Sequence, residues 1–256
     1  MLNLNFDFNR WDIVMLVAVS LMGTAMAYLR RPKWKVLVLS LPVPFTVATL
    51  SLGQNVAATH VLGLCFMILY TFGVRALYVL LGLPIVLSIG IAAGAYATLG
   101  VLLAGVVPNT ELAFWTLSAA LFVSLLVLLR FMSYRSEPGH RTPLPVWIKL
   151  PVIAGIVLML IVSKKMLQGF MTMFPMVGLI GAYESRHFLW TICRALPAAS
   201  LCMLPMMAVI HVTQPYVGLG AALAFGWVIY LSLMSPVMMR QWRLIDRANV
   251  KGSFCC

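Results

Sequence analysis

Charge is scarce in this chain, and acidic charge most of all: six Asp and Glu stand against eighteen Lys and Arg, and charged residues make up only 9%. With 62% hydrophobic residues and a mean hydropathy of +1.01, too little polar surface remains to cover a water-soluble globule of 256 residues. A soluble domain is excluded. Clustered catalytic or ligating residues are also missing. The sequence contains no HExxH, no DxD-like pair and no GxSxG, and no Ser has a His and an Asp in a defensible triad arrangement. An enzyme is the less favoured class, and no metal or cofactor is expected. Cysteine is sparse at five, with no pair at metal or disulfide spacing. Cys65, Cys193 and Cys202 fall inside apolar runs and read as small core residues, while Cys255 and Cys256 read as a frayed tail, with lipidation or redox activity as the alternative. The opening MLNLNFDFNRWD has neither a basic n-region nor a small-residue cleavage site, so it is not a standard signal peptide.

What the chain does have is apolar text in bilayer-length runs. A hydrocarbon core about 30 Å thick needs roughly 20 apolar residues per helix. Segments of that order run over 11–29, 36–52, 56–78, 80–106, 112–129, 147–162, 170–183, 187–211 and 216–238. The expectation is an all-α polytopic membrane protein with about nine transmembrane helices. Basic residues gather in three places: Arg30, Arg31, Lys33 and Lys35; Arg130, Arg135, Arg141 and Lys149; and Arg240, Arg243, Arg247 and Lys251. An odd number of crossings puts all three on one face. By the positive-inside rule that face is cytoplasmic and the N-terminus is outside, with Arg10, Lys164 and Lys165 opposing. The surplus of basic charge therefore points to anionic lipid headgroups rather than to nucleic acid.

The one long polar connector is SYRSEPGHRTPLP, which divides the chain into halves that look alike. Trp11 and Trp147 open corresponding helices, each ending in a basic pair, Arg30 with Arg31 and Lys164 with Lys165. The next helices carry early prolines, SLPVPFTVATLSLG at Pro42 and Pro44 and MFPMVGLIGAYES at Pro175. The fourth pair is GLPIVLSIGIAAGAY at Pro84 and TQPYVGLGAALAFGW at Pro215, each followed by small residues expected to permit close helix contact. The reading is a four-helix repeat over 1–107, a connecting helix and loop over 108–145, a second four-helix repeat over 146–239 and a basic tail over 240–256. With one helix between them, the repeats enter the membrane from opposite faces, the inverted topology of many secondary transporters. Such proteins place their site at matching interrupted helices, here those broken at Pro42, Pro44 and Pro175, where a missing backbone donor frees carbonyls; a plain packing kink is the other reading.

Ionisable groups at depth are the remaining signal. Arg194 is the deepest permanent charge and the first candidate for anion binding or gating, unless it snorkels to headgroups. His60 is a candidate for proton coupling, or a histidine hydrogen-bonded to a neighbouring helix. Glu184 reads as the only carboxylate close to an embedded stretch; with Arg186 and His187 in YESRH it forms either a coupling site or a boundary ion pair. Gln54 and Asn55 occupy the matching turn of the first half. Arg75 sits close enough to a helix end to snorkel. Methionines in MLQGFMTMFPM and CMLPMM read as filler, or as a malleable cavity lining.

SKKMLQGFMTMFPMVGLIGAYES with the apolar helix after it, and more loosely SLPVPFTVATLSLG, resembles the GlpM-type family of small four-helix bacterial inner-membrane proteins. That resemblance implies an inner-membrane protein built from fused four-helix units, and transfers no catalytic residues. The leading expectation is a small secondary transporter or flippase-like carrier for an anionic or lipid-linked substrate held between the repeats. The alternatives are a non-catalytic scaffold or accessory subunit of an envelope or polysaccharide assembly, working as a homodimer or within that complex, and a membrane-embedded transferase. A solvated cavity between the repeats favours transport, and an apolar groove on the flank of a filled bundle favours a scaffold.

Overall fold

A computed structural model of the chain describes residues 9–29, 32–133, 137, 146–167 and 169–253. Arg30, Arg31, Arg135, Arg141, Cys255 and Cys256 lie outside the described residues, as do the side chains of Lys33, Lys149, Lys164, Lys165, Arg247 and Lys251. Among the described residues every element is a helix. They are α1 (Arg10–Tyr28), α2 (Pro32–Ser40), α3 (Val43–Leu52), α4 (Ala58–Arg75) with a π-helical turn Ala76–Leu80, α5 (Ile85–Ala104), α6 (Glu111–Phe131), α7 (Val146–Leu167), α8 (Gly169–Thr172), α9 (Met176–Glu184) and α10 (Leu189–Ser253).

Among the described residues six helical stretches are long and apolar enough to cross a membrane: Arg10–Tyr28, Trp34–Leu52, Ala58–Leu80, Ile85–Ala104, Glu111–Phe131 and Leu189–Leu244. The outer surface agrees with that reading. Leu80, Val86, Leu102, Leu112, Val123 and Val228 are each more than half exposed, an apolar surface that water does not tolerate and lipid does. Among lipid tails, helices gain little from hiding apolar groups, so packing and internal hydrogen bonds must hold them together.

Local chemistry accounts for most element ends. The Asn9 amide donates to the Asp12 carboxylate at 2.7 Å at the start of α1, and the Ala113 amide donates to Thr110 Oγ1 at 3.2 Å at the start of α6. Gly53 closes α3 in the left-handed region (φ +62°), its amide bonded to the Thr49 carbonyl. The proline-rich runs over 36–52 and 170–183, read from the sequence as interrupted helices, are interrupted in the structure. α2 stops at Ser40 and α3 starts behind Pro42, while α8 is a single turn and α9 starts behind Pro175. A proline has no amide to give to the preceding turn, so each helix is cut where the proline enters.

The segments expected over 187–211 and 216–238 join as α10, which bends at Gly218 (φ +79°, ψ 162°) and folds back on itself. Gly226 on the returning arm lies against Ile210 and Met206 on the outgoing arm, and a Cβ there would sit 2.7 Å from Ile210 Cγ1. The two arms form a helical hairpin. The returning arm runs along α2 and α3: Trp227 Nε1 donates to Thr46 Oγ1 at 2.8 Å, the Tyr230 hydroxyl donates to the Ser40 carbonyl, and Trp242 meets Trp34 edge to face. One buried cluster centres on α1, α5, α7 and α9, with Met15, Met26, Val157 and Val177; a second centres on α4, α6 and α10, with Leu64, Phe114, Met206 and Ile210.

Candidate functional site

The two broken helices meet each other. α3 packs on α8 and α2 packs on α9, so the Pro42 break faces the Pro175 break. Between the breaks lies a cavity of about 70 Å³. Its lining includes Pro42, Pro44 and Phe45 from one break, Pro175, Val177 and Gly178 from the other, and Thr71, Thr172 and Ser200. Met67, Met173, Met176 and Met203 complete the wall, so methionines from both expected runs do line a cavity. Among the described residues no Asp, Glu, Lys or Arg lines it, so hydroxyls and the backbone at the two breaks are the polar groups at hand.

Those ends differ in how they are satisfied. The first-turn amides of α3 and α9 have no partner within their own helix, and neither start carries a side-chain cap among the described residues. Several carbonyls on the other side of each break are bonded. Tyr230 donates to the Ser40 carbonyl and Tyr96 donates to the Phe170 carbonyl at 2.8 Å, while the Phe174 amide takes the Met171 carbonyl at 3.0 Å. The hydroxyls of Thr71 and Thr172 bond back to Met67 and Gly169. Ser200 differs: it is fully buried, and its Oγ has no hydrogen-bond partner among the described residues.

Of the site residues singled out from the sequence, the prolines line this cavity and the ionisable ones do not. Pro42, Pro44 and Pro175 form it. His60 lies behind Phe45, ring edge to face at 6.3 Å, fully buried in the first turn of α4. Its Nδ1 accepts from the Ala57 amide at 3.1 Å, which leaves the proton on a buried Nε2 with no partner among the described residues. Glu184 lies at the far end of α9, fully buried beside Lys35: Nζ to Oε2 is 4.0 Å, and Nζ donates to the Glu184 carbonyl at 3.3 Å. His60 and Glu184 are thus not brought together, since His60 abuts Gly169 at the start of α8. Arg194 is half-buried in the second turn of α10 and lines neither this cavity nor the groove described below. Arg186 folds over Tyr183 at 4.9 Å and His187 is exposed. Gln54 and Asn55 are exposed in the loop after α3, whose Val56 is held by the side chain of Gln214 through bonds of 2.8 and 3.1 Å. Arg75 stacks on Trp190 at 4.6 Å.

Two expectations are corrected. Lys35, counted with the loop charges, is fully buried, with its ammonium 5.2 Å over the Phe188 ring. Glu184 is not the only embedded carboxylate, because Asp12 is fully buried and accepts the Ser51 hydroxyl at the end of α3. The signal for Asp12 was present, an acid in the first turn of an apolar helix, but it reads equally as a solvated cap. Tyr96, Tyr230 and Ser200 carried no motif at all.

A second concavity is larger and of another kind. A groove of about 1030 Å³ runs between α5, α7 and α9, walled by Ile89, Ala93, Val101, Ile156, Met159 and Leu179 among others, with Glu184 at its edge. The small residues of α5 were expected to hold a neighbouring helix close. Gly100 does so, against Leu167 and Phe170, whereas Gly90 and Gly94 face open space in the groove. No family model, no curated protein and no solved structure matches this chain.

Proposed function

We propose that the chain is a small secondary transporter or flippase-like carrier whose site is the cavity where the two proline-broken helices cross. The observation that carries this reading is the facing of the breaks: interrupted helices at corresponding positions of two halves, opposed around a small cavity, are how carriers built from inverted repeats make their sites. The pairing is reciprocal. α3 with α8 mirrors α9 with α2, and Tyr96 on α5 bonds the Phe170 carbonyl as Tyr230 on the second arm of α10 bonds that of Ser40. Those exchanges support two repeats, α1 to α5 and α7 to α10, with α6 between them.

Nine crossings follow if α2–α3 and α8–α9 each count once and α10 counts twice. Contacts between helix ends support that count. Asp12 with Ser51, His60 with Gly169 and Glu111 with His211 join ends that nine crossings place on one face. Lys35 with Glu184, Arg75 with Trp190 and the Trp190 indole with the Ser133 carbonyl join ends on the other. The basic residues make the second face cytoplasmic, in a bacterial inner membrane as the GlpM-type resemblance implies.

The test is two-sided labelling of single cysteines replacing Pro44, His60, Glu184 and Ser200 in a background free of Cys65, Cys193, Cys202, Cys255 and Cys256. A carrier gives cavity positions reactive from water on one face, then on the other as conditions shift. If Pro44→Cys and Ser200→Cys stay unreactive from both faces, transport is abandoned. The groove favours a second reading, a scaffold subunit of an envelope assembly, with a partner helix laid between α5 and α7. Crosslinking from Gly94→Cys to a protein of defined mass, together with an unreactive cavity, would establish that alternative.

A further inference from the structure

We propose that the cavity between the two breaks binds a small monovalent anion of halide or carboxylate size, which names the substrate class of the carrier site and rests on that reading. The sign comes from the backbone. Two helix starts converge on the cavity, those of α3 (10 residues) and α9 (9 residues), and Phe45 on one side and Val177 and Gly178 on the other are first-turn residues whose amides have no i−4 carbonyl of their own helix to bond. A helix start carries a partial positive charge approaching about half an elementary unit.

Two of the carbonyls that would oppose this field are engaged by hydroxyl donors. Tyr230 and Tyr96 donate to Ser40 and Phe170, and α8, at one turn, has almost no dipole to contribute. Among the described residues no carboxylate lines the cavity. The Ser200 hydroxyl is the second, independent observation: Ser200 lines the cavity, is fully buried, and its Oγ has no hydrogen-bond partner among the described residues. An anion would accept from it and from the amides together.

Size and wall chemistry narrow the ligand. One water needs roughly 10–15 Å³ measured in this way, so about 70 Å³ admits a halide or a carboxylate group and rejects a polyhydroxylated organic acid. Four methionine side chains give a polarisable wall suited to a weakly hydrated ion. A dianion such as phosphate would call for Arg or Lys, which the lining lacks.

The experiment is thermal unfolding of the full chain in detergent, followed by tryptophan fluorescence, with sodium gluconate replaced stepwise by chloride, bromide, nitrate or acetate at constant ionic strength. The expected result is a Tm that rises and saturates with the small anions. In Ser200→Ala, referenced to its own melting in gluconate, the apparent Kd should be weaker by about tenfold or more, the loss expected for one hydrogen bond to a charged group. A wild-type Tm indifferent to the anion overturns the proposal, as does an identical response in wild type and Ser200→Ala. Saturable anion stabilisation with cavity cysteines accessible from one face only keeps the site and removes transport; alternating access with no anion response does the reverse.

Discussion

The buried Lys35–Glu184 pair shows what a single residue means only in its fold. In the sequence Lys35 follows Arg30, Arg31 and Lys33 and reads as one more headgroup contact; its partner is 149 residues away. Once α2 lies against α9, the ammonium is withdrawn from solvent, and its tolerance depends on the Glu184 carboxylate, the Glu184 carbonyl and the Phe188 ring. Removing one partner takes from the other buried charge a group of opposite sign, so Lys35→Met and Glu184→Gln should each destabilise by up to about 3–5 kcal/mol, while the double variant should recover part of that loss. Unfolding in detergent measures all three. Additive losses in the double variant would mean that the two groups do not depend on each other. Asp12 follows the same logic at the opposite end of the bundle, where Ser51 and the Asn9 amide hold it. For neither carboxylate does its neighbourhood in the sequence show how deeply it is buried.

At the scale of elements, proline was the most legible signal. Pro42 and Pro175 each stand just before a helix start, where the missing amide costs nothing, whereas Pro151, Pro197 and Pro205 run on inside α7 and α10, so a proline marks a break only where the packing lets the helix end. Glycine was less legible, since its role depends on what stands opposite. Gly169 sits in the methionine-rich run and Gly94 in small-residue text, and only the first is packed: a Cβ on Gly169 would lie 2.9 Å from Thr59 Cβ and 3.0 Å from His60 Nδ1, whereas one on Gly94 would meet nothing within 4 Å. Gly169→Ala should therefore force α8 off α4 and destabilise by about 1–3 kcal/mol. Gly94→Ala should be neutral or stabilising by up to about 1 kcal/mol, through helix propensity alone. Paired melting curves separate the two; equal losses would mean that α5 closes on a neighbour at Gly94. The hairpin of α10 depends on Gly218, at a positive φ with an extended ψ that side chains resist, and that glycine was read only as part of a small-residue run.

For the whole molecule, the nine-crossing arrangement proposed above predicts opposite faces for the loops on either side of α4. Gln54→Cys should react with an impermeant reagent from outside and Leu81→Cys only from the cytoplasmic side; reaction of both from one face would remove a crossing and the repeat relation with it. Membrane class and helical class were determined by the sequence alone, for a physical reason: apolar run length reports how a segment meets a hydrocarbon layer and requires no knowledge of a partner. The proline breaks at Pro42 and Pro175 were legible as candidates, but which prolines end a helix and which run on inside one was decided by the fold. Which helices face one another was decided only by the tertiary structure. The bond from Tyr230 to Ser40 spans 190 residues, that from Gln214 to Val56 spans 158, and the facing of the two breaks depends on contacts of the same range. In a chain so uniformly apolar, each helix has several faces able to pack or to meet lipid. Only assembly selects which polar groups are left to one another, and that selection placed Ser200 and two helix starts around one small cavity.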